Sequence, residues 1–194
     1  VLVTTWKTPS GWVVVRDALV IGPARGPDTV TPHTRPPTDD DAEHVLVRVA
    51  ECLSGRVEVE VVCEPAFGYG DVSASWTMAD GTGHVADASG AGVTVRLQTD
   101  LMIGIEGERV RGRHVLTPGE RAYCALSWAE GLEAPASTDE ADARVGATTT
   151  YWRRWLDGAR IPDHRYREAI QRSALTTKGL TYMPTGATVA ALTT

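Results

Sequence analysis

Apolar and polar positions alternate with a period of two through the first two-thirds of the chain. The segment GWVVVRDALVIG is rich in β-branched residues and ends at Gly22-Pro23, which predicts a strand. HVLVRVAECL and RVEVEVVCE flank Ser54-Gly55 and predict a β-hairpin with a two-residue loop. That loop sets Cys52 opposite Val57 and Cys63 opposite Leu46. One hairpin face then carries Leu46, Ala50, Cys52, Val57, Val59, Val61 and Cys63, and the other mixes Val45, Val47 and Val49 with Glu51, Glu58 and Glu60. Such one-sided alternation suits an antiparallel sheet over a core. Arg48 falls on the apolar face. Either a bulge shifts the register there, the reading favoured, or Arg48 is buried with a carboxylate partner.

Further strands are predicted at SASWTMAD, GVTVRLQTD, LMIGIEGERV, RGRHVLTPG and ERAYCALSWAE, with turns at Asp80-Gly81, Glu106-Gly107 and Pro118-Gly119. Many short strands at this spacing predict a sandwich or barrel. Residues 22–41 are rich in Pro, Gly, Thr and Asp and read as a long surface loop. At Glu133 the period changes. Ser137 and Glu140 make a capping box. Ala141, Val145, Thr148, Trp152, Trp155 and Leu156 follow on one helical face, with Gly158 as a left-handed C-terminal cap. Asp163 reads as the N-cap of a second helix, striped by Tyr166, Ile170, Ala174, Thr177 and Leu180 and broken at Pro184-Thr185-Gly186. The fold class is mainly β: an antiparallel β-sandwich followed by two linker helices.

Composition adds exclusions. The chain has 194 residues, 42% hydrophobic and 23% charged, with net charge −6. An acidic chain without a Lys/Arg run is a poor nucleic-acid binder. The run Asp39-Asp40-Asp41 reads as a solvated loop. No apolar stretch reaches the ~18 residues that span a membrane, and no signal peptide is visible, so no membrane partner and a cytoplasmic location are expected. The first residue is Val1 rather than Met, in what reads as mid-strand, which suggests a start further upstream. Cys52, Cys63 and Cys124, odd in number and without CxxC spacing, read as small buried hydrophobes in a reducing compartment rather than a disulfide or zinc framework.

Candidate chemistry is sparse. Nucleophile elbows, phosphate-binding glycine loops and HExxH are absent. His33, His44, His84, His114 and His164 are scattered without metal-ligand spacing, so neither a metal site nor a cofactor is evident. No acid/base pair of carboxylates can be nominated. PAFGYGDVSASW clusters Phe67, Tyr69 and Trp76. These rings form either a sugar-stacking platform or the anchor of a loop on the core. Trp152 and Trp155 lie on the helix's apolar side and read as packing anchors.

The stretches TTWKTPSGWVVVRDAL, CLSGRVEVEVVCEPAFGYG, GERAYCALSWAE and above all IPDHRYREAIQRSALTTKGLTYMPTGATVAALTT resemble glycoside hydrolase family 15, in its bacterial trehalase/glucoamylase-like branch. The resemblance runs along essentially the whole chain. It implies an N-terminal β-sandwich (residues 1–134), a helical linker (135–183) and the opening of an (α/α)6 catalytic barrel (184–194) that continues beyond Thr194. It further implies hydrolysis of α-glucosidic bonds with inversion, by a glutamic acid and a glutamate base. Both are expected beyond Thr194, so no catalytic residue is carried over. The reaction expected of the parent is trehalose plus water to two glucose. The alternatives are a glucoamylase/glucodextranase-type exo-α-glucosidase and a non-catalytic carbohydrate-binding or assembly module. The segment itself is expected to be inactive, to support the barrel and to help form a homo-oligomer.

Overall fold

β-Branched residues dominate the extended runs, and the backbone follows them. The computed structural model describes residues 1–21, 42–79, 81–128, 134–182 and 185–190. It divides into two compact units, Val1–Val20 with Glu43–Gly146, and Ile21–Ala42 with Ala147–Thr194. The predicted loop at 22–41, Asp80 of one predicted turn, the change of period at Glu133 and Pro184 of the predicted break lie outside the described residues.

Among the described residues twelve strands run before the first α-helix: β1 (Leu2–Thr8), β2 (Gly11–Ile21), β3 (Ala42–Gly55), β4 (Val57–Cys63), β5 (Ala66–Phe67), β6 (Val72–Ser73), β7 (Ser75–Met78), β8 (Val85–Gly90), β9 (Val93–Thr99), β10 (Ile103–Glu106), β11 (Arg109–Leu116) and β12 (Arg121–Ser127). A seven-stranded sheet has the order β1-β2-β3-β12-β9-β8-β7, and a three-stranded sheet the order β10-β11-β4. Every pairing described in them is antiparallel. The mainly β class and the sandwich are as the alternation predicted. β8 is an addition: VADASG has too few β-branched residues to signal a strand, yet Ala86 and Ala88 are fully buried opposite larger neighbours.

The predicted hairpin does not form. β3 and β4 enter different sheets, and β4 pairs with β11, so Cys63 lies opposite Val110 rather than Leu46. The junction is a corner. Gly55 takes φ 74°, and Arg56 N–H donates to Ser10 O at 2.9 Å. A Cβ at Gly55 would sit 2.1 Å from Ser10 O, and one at Gly11 would sit 2.3 Å from Ser54 O. Two glycines thus let two backbones cross in contact while the chain changes sheets.

The predicted bulge at Arg48 is also absent: Val45 to Glu51 pair with Ser127 to Arg121 in unbroken register. Both faces of β3 find cover instead. Val45, Val47 and Val49 are buried with Ala18, Val20, Tyr123, Ala125 and two residues of the first helix, Ala141 and Val145. Cys52 on the other face packs with Val13, Val57, Leu101, Leu116 and Ala122 between the sheets. The valines of the mixed Val/Glu face are therefore core. A third cluster fills the far end of the sandwich around Trp76, Phe67, Leu97 and Val110.

Helix α1 spans Thr138–Asp157 and crosses from the first unit into the second. Half of its capping box forms, and the return bond goes one residue further back. Ser137 Oγ accepts from Glu140 N–H at 3.2 Å, and the Glu140 carboxylate accepts from Ala136 N–H at 2.9 Å. Arg121 on β12 ties Asp139 and Asp142 of the first turns to the sheet, and Thr138 Oγ1 donates to Asp100 at 2.7 Å.

In the second unit, Thr148 Oγ1 accepts from Ile21 N–H at 3.3 Å, and both residues are buried. Gly158 is not a left-handed cap. Its N–H still bonds Arg154 O, and Ala159 N–H reaches Leu156 O, so the helix ends in a tightened turn that needs no positive φ. Helix α2 (Arg167–Gly179) starts three residues later than an Asp163 cap would place it. A turn that donates Arg167 N–H to His164 O occupies the gap. No residue of α2 is buried. Beyond it β13 (Thr181–Tyr182) pairs with β14 (Ala187–Thr188).

Candidate functional site

The three rings singled out from the sequence do not form one exposed platform. Phe67 and Trp76 are buried in the same core cluster, and Trp76 Nε1–H donates to Glu108 O at 2.9 Å. Tyr69 is 90% exposed in a one-turn 3-10 segment at Gly68–Gly70. The PAFGYG stretch is thus a loop pinned on the core by Phe67, whose ring lies 2.4 Å from where a Gly90 Cβ would be. Trp152 and Trp155 stack edge to face with centroids 5.9 Å apart and are half-buried.

A concave feature of the first unit lies elsewhere. The three-stranded sheet covers only part of its seven-stranded partner, and β4 is its free edge. Beside that edge the inner face of β1, β2 and β3 stays open as a cleft of about 350 Å³. The period of two puts Leu2, Thr4 and Trp6 on this face, opposite Asp17, Val15 and Val13. Trp6 remains 59% exposed. Across the cleft stand Val59 and Val61 of β4, both only half-buried.

Arg48 belongs to this cleft. Its Nε–H donates to Asp17 Oδ1 at 2.5 Å, with the Asp17 side chain mostly shielded and Arg48 more than half exposed. The second alternative drawn from the sequence, a carboxylate partner, is the one realised, at a cleft rather than in the core. Cys124 also lines the cleft, and burial pushes its thiol up to about 11, with Arg48 pulling the other way. A thiol held that high is a poor nucleophile at neutral pH.

Several carboxyls of the first unit depart from their ordinary range, and all go down. A hydrogen bond from Arg113 lowers Glu60, the backbone N–H of Thr117 lowers Glu120, and that of Ala136 lowers Glu140. A general acid needs the opposite shift.

No family model matches the chain. Two curated proteins do. A protein named trehalase from Mycolicibacterium smegmatis is 46% identical over 200 residues, covering 100% of this chain and 30% of that protein. Over its whole length the chain is similar to that protein. A trehalase from Mycobacterium tuberculosis is 44% identical over 206 residues, again covering 100% of this chain and 29% of that protein. The chain therefore spans about 30% of the length of the curated relatives it matches. Among the described residues no helix is long and apolar enough to cross a membrane.

Proposed function

We propose that this chain is the sandwich-and-linker part of an inverting α-glucoside hydrolase of family 15, one that converts trehalose and water into two glucose. The reading is carried by identity of 46% and 44% along the whole chain to two proteins named trehalase. The lowering of Glu60, Glu120 and Glu140 agrees with chemistry done outside this segment. In this reading residues 1–134 form the supporting sandwich, 135–183 the linker and 184–194 the first part of a barrel. The barrel supplies a carboxylic acid to protonate the leaving oxygen and a carboxylate to activate water, about 6.5–9.5 Å apart. Homo-oligomer formation and a cytoplasmic location complete the proposal. Glucose release separates it from the glucoamylase alternative. The longer protein should release glucose from trehalose faster than from maltose, and the 194-residue chain alone should release none. Faster turnover of maltose would favour the glucoamylase-type reading, and release by the 194-residue chain would show that it carries its own catalytic pair.

A further inference from the structure

The cleft beside β4 presents an unusual set of groups. The Arg96–Asp87 pair of the same sheet is closed: Nε and one terminal nitrogen meet both carboxylate oxygens at 2.8 Å. The Arg48–Asp17 pair is joined through Nε and Oδ1 alone. Among the described residues the two terminal guanidinium nitrogens of Arg48 and Oδ2 of Asp17 engage no protein group. They share the cleft with the Trp6 side chain, which is 59% exposed.

A sugar hydroxyl both donates and accepts a hydrogen bond, so adjacent hydroxyls are matched by a donor fork beside an acceptor. Hydrogen bonds from or to charged groups are the strong ones. The C–H face of a pyranose is apolar and lies well on an aromatic ring. A volume of about 350 Å³ is at the lower end of small-ligand sites, enough for one or two sugar rings and too small for an oligosaccharide. The alternative occupant, a β-strand added at the edge of β4, would gain ladder hydrogen bonds but would bury the Arg48 terminal nitrogens and Asp17 Oδ2 without partners, which is costly.

We propose that this cleft is a non-catalytic binding site for an α-linked glucose disaccharide, which stacks on Trp6 and hydrogen-bonds the terminal nitrogens of Arg48 and Oδ2 of Asp17. The choice of sugar rests on the trehalase-like reading, and the existence of a polyol site rests on the cleft. Such a site would keep the substrate class at the surface of the sandwich. Its open rim makes the binding weak, with a dissociation constant on the order of 1 mM.

The test is titration of the 194-residue chain with trehalose and with maltose, followed by tryptophan fluorescence and by calorimetry, with mannitol as a linear polyol lacking a pyranose face. Trehalose or maltose should bind in the millimolar range and mannitol should not. Trp6→Ala should weaken binding at least tenfold, and Arg48→Lys, which keeps the charge and loses the fork, should weaken it severalfold. Both variants should keep the wild-type cooperative melting transition. Absence of binding at tens of millimolar of either disaccharide, binding untouched by both variants, or an equal response to mannitol would each overturn the site. Glucose release by the longer protein is scored separately. Its absence would remove the hydrolase reading without altering the titration, and a silent titration with hydrolysis intact would remove only this site.

Discussion

At the scale of residues, local chemistry and position in the fold act on the same side chains. Ser137 and Glu140 were readable because capping needs only a fixed spacing and local hydrogen bonds; Ser137 Oγ accepts from Glu140 N–H, and the Glu140 carboxylate accepts from Ala136 N–H just before the cap. Arg48 was not readable in the same way. An arginine on an apolar stripe fits a bulge as well as an ion pair, and only the position of Asp17 decides between them. The Glu140 carboxyl is held below its ordinary value first by Ala136 N–H and then by Arg144, which also pairs with Glu43. The native state therefore binds this proton less tightly than the unfolded chain does. The stability it contributes is full above the unfolded carboxylate value, about 4.3, and is lost as pH falls through the lower native value. Glu140→Gln should lower the melting temperature at pH 7, and the gap to wild type should close as the pH is taken below 4; thermal melts across that range check this. A gap independent of pH would mean that the carboxylate charge is not what the cap uses.

At the scale of elements, the strands were legible and their partners were not. GWVVVRDAL and RVEVEVVC announce strands by composition alone, and both form. Serine-glycine between two such runs resembles a hairpin turn, but the same glycine serves a corner. A hairpin and a sheet-switching corner share their local φ/ψ needs and differ in what lies across from them, here the β1–β2 turn at Ser10 and Gly11. Gly55→Ala puts a Cβ against Ser10 O on a residue with φ 74°. It should cost about 2 kcal/mol or more, a melting temperature lower by roughly 4–8 °C. In a simple two-residue hairpin the penalty would lack the clash and stay near that of left-handed backbone alone, roughly 1 kcal/mol. Denaturant titration of the variant distinguishes the two sizes of effect.

At the scale of the whole molecule, stability is unevenly spread. Val45, Val47 and Val49 are almost wholly buried between the sheet and α1, whereas α2 buries no residue. Amides of β3 and β12 should exchange with solvent only through global unfolding, and those of α2 should exchange orders of magnitude faster. Hydrogen exchange read by mass spectrometry gives the answer, and protection of α2 equal to that of β3 in the 194-residue chain would contradict it. The sequence by itself determined the period of most elements, the Ser137 cap of α1 and the similarity to proteins named trehalase, because these depend on neighbours a few residues apart or on identities along the chain. Tertiary structure alone decided which sheet β4 joins, that the valines of β3 lie under α1, that Phe67 and Trp76 are core, and that Arg48, Asp17 and Trp6 meet in one cleft. Those outcomes depend on which distant segments close onto one another, and an alternation with period two is satisfied equally well by either face and by many partners.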